Sequence, residues 1–228
     1  MCGIVGYIGD DKATPILLNG LEKLEYRGYD SAGVAVYQNH SVEVVKRKGR
    51  LKNLCDILNS DNHMTGTLGI GHTRWATHGE PSDINSHPHC SENGSFAVVH
   101  NGIIENYLYL RDYLMNKGKR FASETDTEVV AQLLEYYYNG NILDTIIKVL
   151  SKIEGAYALG IICKDDPDTL YAVRKDSPLI IGLGKGENFI ASDIPAIIDK
   201  TRDIYRLNDN EIAVIKRDNV TVYNEAKE

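Results

Sequence analysis

The chain lacks the sequence features of secreted and of membrane-spanning proteins. Its cysteines lie far apart, at positions 2, 55, 90 and 163, with no CxxC pair and no signal peptide before them. No apolar run is long enough to cross a bilayer. We therefore expect no disulfide framework and no membrane partner, and we predict a soluble cytoplasmic protein.

The chain also has fewer positively charged side chains than negatively charged ones. Lysine and arginine together number 25 against 32 acidic residues, which gives a net charge of −7. An acidic chain has little to attract a phosphate backbone, so we expect no nucleic-acid partner. The one basic cluster, at 46–52, crosses a predicted strand end and a turn, and we interpret it as solvated surface.

Recognisable metal and nucleotide motifs are missing as well. Five of the seven histidines fall between positions 72 and 100, but there is no HExxH motif and no tightly spaced ligand pair. The glycine-rich stretch at 182–186 precedes an apolar strand rather than a helix, so it predicts a hairpin turn. We expect neither metal nor cofactor. The alternative is a metal site, and its ligands would be His78, His87, His89, Cys90 and His100.

Hydrophobic patterning predicts an α+β protein with one large core or at most two small ones, since 43% of the 228 residues are hydrophobic. Helical periodicity marks 13–24, 103–114, 129–137 and 142–150, with a weaker helix at 51–58. The helices at 129–137 and 142–150 should pack as a pair on one sheet face. Short β-branched runs predict strands at 4–8, 33–37, 42–45, 68–71, 96–100, 156–163, 170–173, 179–182, 189–191, 212–215 and 220–223.

Cys2 directly follows the initiator methionine. Removal of that methionine would give one residue both a thiol that can attack a carbonyl and an α-amine, with a pKa of about 8, that can act as its base. Taken alone, Cys2 is better explained as a small buried residue at the start of an apolar strand, because a lone cysteine is usually a packing residue.

Polar residues at three other places could serve such a nucleophile. Arg74 could bind an α-carboxylate through two parallel guanidinium N–H donors, and Trp75 could cover the bound carboxylate. Asn101 and Gly102 lie between a strand and a helical stripe, where an amide and a backbone N–H could hold an oxyanion. The alternative for Asn101 and Gly102 is an ordinary helix start.

The segment 123–128 precedes a predicted helix. Thr125 and Glu128 fit a capping box, which would put Asp126 in the first helical turn, where a carboxylate complements the helix dipole. Alternatively, Asp126 binds an ammonium group. The spacing leaves both interpretations open.

Together these segments resemble the N-terminal-nucleophile (class II) glutamine amidotransferases. The match runs through the residues at 2–6, 72–79, 100–106 and 123–128. The stretch LEYRGYDSAG at 24–33 is similar to the branch of glutamine–fructose-6-phosphate aminotransferases. The resemblance covers essentially the whole chain.

The resemblance implies a four-layer αββα fold with two stacked, mainly antiparallel sheets between helix layers. It also implies that Cys2 is the nucleophile, with its own amine as base, and that Asn101 and Gly102 form the oxyanion hole. Arg27 would lie near Cys2 and support it. For the substrate, the implied residues are Arg74 at the α-carboxylate, Asp126 at the α-amine, Thr77 and His78 along the pocket, and Trp75 on a loop that closes over it.

The implied reaction is hydrolysis of L-glutamine to glutamate and ammonia. In this branch the ammonia serves conversion of fructose 6-phosphate to glucosamine 6-phosphate, in amino-sugar biosynthesis, by C-terminal sugar-isomerase domains that this chain does not contain. We therefore expect a glutaminase domain at 2–223, the start of a linker at 224–228, and a homodimeric full-length enzyme. A glutamine sensor without turnover and a metal-binding structural domain are the alternatives from other classes.

Overall fold

The computed structural model describes residues 2–27, 30–61, 64–75 and 79–228, and of residues 27, 60 and 61 it describes the backbone alone. The helices within these ranges are α1 (Ala13–Leu24), α2 (Leu51–Asp61), α3 (Tyr107–Asn116), α4 (Thr127–Tyr137) and α5 (Ile142–Leu150). The strands are β1 (Gly3–Ile8), β2 (Ser31–Gln38), β3 (Ser41–Lys48), β4 (Leu68–Arg74), β5 (His89–Cys90), β6 (Phe96–Ile104), β7 (Gly155–Cys163), β8 (Asp166–Lys175), β9 (Ile180–Leu183), β10 (Asn188–Ala191), β11 (Ile204–Arg206), β12 (Ile212–Ile215) and β13 (Val220–Tyr223).

The strands form two antiparallel sheets. Sheet 1 has the order β11-β9-β10-β1-β4-β2-β3, and sheet 2 has the order β13-β12-β8-β7-β6-β5. Each strand alternates its side chains between two faces. One face of each sheet therefore packs on the other sheet, while the opposite face packs on helices.

Three buried clusters correspond to the three layer interfaces. Val5 and Tyr7 of β1 join the cluster beneath α1 and α2, whereas Ile4 and Ile8 of the same strand join the cluster between the sheets. A third cluster lies beneath α3, α4 and α5 and includes Phe96 and Val98 of β6. This arrangement is the predicted four-layer αββα fold. The predicted pairing of α4 with α5 on one sheet face is also confirmed.

The predicted helix at 103–114 starts too early. Strand β6 continues to Ile104, and α3 begins only at Tyr107. The reason is that β7 pairs with β6 to its end, with Gly102 opposite Tyr157 and Ile104 opposite Gly155. The short strands β5 and β11 were not predicted, whereas the hairpin between β9 and β10 was. Within the described residues, no helix combines the length and apolarity needed to cross a membrane.

Candidate active site

The candidate site lies at one edge of the space between the sheets, where β1 begins and where β4 and β6 end. Cys2 immediately precedes β1, and Arg74 is the last residue of β4. These two strands are antiparallel neighbours with Gly3 opposite Thr73, so the start of one strand meets the end of the other. Strand β6, in sheet 2, brings Asn101 to the same edge.

A cavity of about 400 Å³ occupies this edge. Six of the predicted site residues line it: Cys2, Arg74, Trp75, Asn101, Gly102 and Asp126. Arg27 ends a short 3-10 turn after α1, but its side chain lies outside the described part of the chain, as do Thr77 and His78. The lining also includes His87, His100, Ile103, Thr125, Thr127, Ser177, Pro178 and Ser192.

The Cys2 thiol is held by the backbone of Trp75. The Trp75 N–H donates to Cys2 Sγ at 3.1 Å, while Trp75 as a whole residue is 58% exposed. Burial raises the pKa of the Cys2 thiol above its ordinary value, and the Trp75 hydrogen bond offsets only part of that effect. A thiol with a raised pKa is protonated at neutral pH, so attack on a carbonyl requires a base.

The Asn101 side chain connects Cys2 to the interior. Its Nδ2 donates to the Cys2 carbonyl oxygen at 3.0 Å, and its Oδ1 lies 3.0 Å from His72 Nε2. The amide nitrogen therefore faces the backbone of Cys2, and the amide oxygen faces His72.

The backbone of β6 supplies a second donor at Gly102. His100 N donates to His87 Nδ1 at 3.3 Å, and Ile104 N donates to Asp126 Oδ2 at 2.8 Å, both on the side away from β7. Because N–H direction repeats every second residue of a strand, the Gly102 N–H points the same way, into the cavity.

Only glycine fits at position 102. Its φ is +120°, and a Cβ there would lie 2.0 Å from the Ala156 carbonyl oxygen. Glycine enters this backbone conformation without steric cost. A larger residue would displace β7 or turn this N–H away from the cavity.

Two opposite charges lie in the same cavity wall. Arg74 is 3% exposed and donates from Nη2 to the Gly79 carbonyl oxygen at 3.0 Å. Asp126 is 4% exposed, and its Oδ2 accepts the Ile104 N–H. A cavity that contains both a guanidinium and a carboxylate is suited to a ligand with an anionic and a cationic end.

The predicted capping box of Thr125 and Glu128 is wrong, whereas Asp126 does stand at the start of the helix. Helix α4 begins at Thr127, and the Asp126 side chain makes no capping bond. Glu128 does reach back, but to Ala122 N and Ser123 N, at 2.8 and 2.6 Å. Thr125 Oγ1 instead lies 3.0 Å from His89 Nε2, because the segment before α4 packs against β5.

The histidines around the cavity are buried and interconnected. The rings of His72 and His87 stack with centroids 4.1 Å apart, and His89 meets His87 edge-on at 4.8 Å. Burial lowers the pKa of His72 to about 3 and holds the pKa values of His87 and His89 well below 6.5, so all three are neutral. Among the described residues, no group of three or more potential ligands is arranged to hold a metal ion.

Sequence reasoning assigned no role to His72 or Thr127 and considered His100 only as a ligand in the metal alternative. His100 Nδ1 lies 2.8 Å from Thr127 Oγ1 and 4.0 Å from Asp126 Oδ2, and all three residues line the cavity. One signal could have found His72. It lies two residues before Arg74, directly after the strand predicted at 68–71, and if the strand is continued its alternation puts both side chains on one face.

Known proteins resemble this chain along its length. A family model described as a glutamine amidotransferase domain matches residues 72–199. A glutamine–fructose-6-phosphate aminotransferase (isomerizing) of Caldanaerobacter subterraneus subsp. tengcongensis is 65% identical over 220 residues, which is 96% of this chain and 36% of that protein. Its counterpart in Clostridium perfringens is 59% identical over 227 residues, which is 100% of this chain and 37% of that protein.

A solved structure has the same fold. The glutamine phosphoribosylpyrophosphate amidotransferase of B. subtilis superposes with a TM-score of 0.84 at 26% sequence identity, and the match covers 100% of this chain and 50% of that one. The chain thus spans little more than a third of the curated relatives described above and half of this solved chain.

Proposed function

The chain belongs to the glutamine amidotransferase family, and we propose that it hydrolyses the side-chain amide of L-glutamine through a thioester on Cys2. One observation carries the proposal. The thiol of Cys2, the amide of Asn101, the backbone of Gly102, a guanidinium and a carboxylate line a single cavity of about 400 Å³. These are the groups that a nucleophilic attack on the amide of a free amino acid requires.

The first half of the reaction forms the thioester. Once Met1 is removed, the free α-amine of Cys2 takes the thiol proton, and Sγ attacks the side-chain carbonyl carbon of glutamine. The carbonyl oxygen becomes an oxyanion that accepts hydrogen bonds from Asn101 Nδ2 and the Gly102 N–H. The protonated α-amine then gives its proton to the leaving nitrogen, and ammonia departs.

The second half regenerates the enzyme. A water molecule, deprotonated by the same amine, attacks the thioester carbonyl, and the oxyanion forms again at Asn101 and Gly102. Collapse of this intermediate expels the Cys2 thiolate and releases glutamate. One residue therefore serves as nucleophile and as the acid–base group in both halves.

Substrate selection follows from the two buried charges. Arg74 would bind the α-carboxylate of glutamine and Asp126 its α-ammonium group. Asp126 is fixed for this role because its Oδ2 is already held by the Ile104 N–H at 2.8 Å. A glutamine inside a peptide lacks both charges, so it would offer no opposite charge to either group and should be a poor substrate.

In the full-length protein, we expect the ammonia to be used for conversion of fructose 6-phosphate to glucosamine 6-phosphate. The support is the identity of 65% and 59% to glutamine–fructose-6-phosphate aminotransferases, of which this chain corresponds to little more than a third. Residues 2–223 would then form the glutaminase unit of a cytoplasmic homodimer, with no nucleic-acid or membrane partner. Arg27, Thr77 and His78 keep their proposed roles beside Cys2 and along the pocket.

The test uses the purified chain with Cys2 as its first residue, verified by intact mass. Addition of L-glutamine should release glutamate and ammonia in equal amounts, and Cys2→Ala should release neither. Tight binding of glutamine without product would favour a sensor over an enzyme. Hydrolysis by Cys2→Ala at the wild-type rate would contradict the thioester route.

A further inference from the structure

His72 is buried behind the cavity and does not line it. Its side chain is 1% exposed, and in β4 it stands opposite Ile4 of β1 and Gly33 of β2. The ring therefore projects from sheet 1 toward β6 of sheet 2. Its Nε2 lies 3.0 Å from the His100 carbonyl oxygen and 3.0 Å from Asn101 Oδ1.

The hydrogen-bond partners determine which nitrogen of His72 carries the proton. The Cys2 carbonyl oxygen can only accept, so the Asn101 atom that faces it must be the donor Nδ2. Asn101 Oδ1 then faces His72, and because the His100 carbonyl is also an acceptor, His72 Nε2 must be the donor to both. Burial lowers the pKa of His72 to about 3, so the ring is neutral and its buried Nδ1 is unprotonated.

The position of the His72 ring is itself constrained. It stacks on His87, with ring planes inclined by 14°, and His87 accepts the His100 N–H. Rotation of the Asn101 amide by 180° would bring its NH₂ group against His72 Nε2–H and its oxygen against the Cys2 carbonyl oxygen. Both contacts would be repulsive, so the network permits a single amide orientation.

We infer that His72 is a positioning residue for the oxyanion hole: it holds the Asn101 amide with its nitrogen toward Cys2 and the developing oxyanion. One Nδ2 hydrogen binds the Cys2 carbonyl, and the other remains for the substrate. The inference rests on the proposed function, since it requires Asn101 to act on the oxyanion. His72 itself touches no reacting atom.

The first measurement compares two substitutions at His72. His72→Leu removes the donor at similar volume, whereas His72→Gln keeps an N–H close to the position of Nε2. We expect His72→Leu to lower kcat by about 10- to 100-fold, less than the roughly 10²–10³-fold that loss of a whole oxyanion donor causes. KM should change less than about twofold, because the hydrogen bonds of His72 reach Asn101 and not the two charged groups. We expect His72→Gln to stay within about threefold of the wild-type kcat.

A double variant tests whether His72 acts through Asn101. If it does, His72→Leu combined with Asn101→Ala should be no slower than Asn101→Ala alone, because the group being positioned is already gone. His89→Leu is the matched control. His89 is also buried against His87, but its Nε2 contacts Thr125 rather than Asn101. We expect the His89→Leu variant to have a lower thermal midpoint, with kcat within about twofold of the wild-type value.

A measurement on the unsubstituted chain does not depend on any variant folding. Nitrogen-15 NMR of the imidazole should show a neutral His72 with its proton on Nε2 throughout pH 5–8. A proton on Nδ1, or titration within that range, would overturn the inference.

Three kinetic outcomes would also overturn it: equal losses in the Leu and Gln variants, multiplicative losses in the double variant, or a full kcat in His72→Leu. A slow Asn101→Ala with a full-speed His72→Leu would remove the inference and leave the proposed function intact. Wild-type turnover in Asn101→Ala would remove the inference and the oxyanion role of Asn101, whereas no turnover in the unsubstituted chain would remove the proposed function.

Discussion

The space between the two sheets is apolar over most of its length and polar at one end, although the same strands build both parts. We call these parts the apolar interior and the polar end. Along each strand, every second residue faces this space. Read toward the polar end, these positions are Ile8, Gly6 and Ile4 from β1 followed by Cys2 just outside it, Leu68, Ile70, His72 and Arg74 from β4, and Ala97, Val99 and Asn101 from β6.

The two parts differ in what a substitution removes. In the apolar interior, a side chain contributes contact area, and its loss leaves a cavity. In the polar end, each buried polar atom is stabilised by a specific partner, such as His72 to Asn101 or Asp126 to the Ile104 N–H. Substitutions there should change turnover more than they change folding. The predictions that follow run from the largest expected effect on turnover to the smallest.

Cys2→Ala should lower glutamine turnover by about 10⁴-fold or more, because it removes the attacking atom. The thermal midpoint should change little, because only one small side chain at the cavity wall is lost. Cys55→Ala is the matched control, since Cys55 lies on α2 and packs beneath sheet 1. Rates of glutamate release and thermal midpoints of both variants test this, and equal turnover in both would contradict it.

Retention of Met1 should lower kcat/KM by roughly 10²–10⁴-fold, the usual contribution of a general base, because the Cys2 nitrogen is then an amide. In the processed chain, kcat/KM should rise with pH through about 8 as the amine loses its proton. With Met1 present, alkylation of the thiol should rise only at higher pH, because burial raises the pKa of Cys2. Preparations with and without aminopeptidase treatment, checked by intact mass, make the comparison; equal rates would exclude the amine as base.

Arg74→Lys and Asp126→Asn should each cost about 2 kcal/mol or more in transition-state binding, as loss of a buried charge partner does. This corresponds to a fall in kcat/KM of about 30-fold. Lys cannot make two parallel bonds to a carboxylate, and Asn loses the charge that would meet the ammonium group. Steady-state kinetics with L-glutamine provide the measurement. An unchanged KM in Asp126→Asn would leave Asp126 with only its contact to Ile104 N.

Ile70→Ala should have the opposite effect to the substitutions in the polar end: a large loss of stability and little change in turnover. Ile70 is fully buried between the sheets, two residues from His72 on the same strand face. Its truncation should lower the free energy of unfolding by about 2–5 kcal/mol. At a temperature where the variant is folded, kcat should remain within about twofold of wild type. Urea unfolding and kinetics on the same sample test the expected loss of stability and the expected unchanged kcat. A large loss of kcat in folded protein would show that the apolar interior and the polar end are coupled.

The helices and strands were largely predictable because their signals are local, whereas the four-layer arrangement and the grouping of the site residues followed from the family resemblance. Alternation and β-branched runs indicated nearly all the strands, and helical periodicity marked α1, α4 and α5 well. The predicted cluster of Cys2, Arg74, Trp75, Asn101, Gly102 and Asp126 does line one cavity. The errors share one cause: each lies where a distant segment supplies a backbone or side-chain partner that no local pattern encodes.

The sequence by itself determined which groups are present and how the helices and strands alternate, because side-chain periodicity and motif spacing are written into adjacent residues. Only the tertiary structure decided how those groups are oriented. Pairing with β7 kept residues 101–104 in a strand and so turned the Gly102 N–H into the cavity. Contacts across the sheets aimed the Asn101 amide and tied Asp126 to Ile104 N. Buried polar groups take the orientation that satisfies their hydrogen bonds, and those partners exist only once the layers have packed.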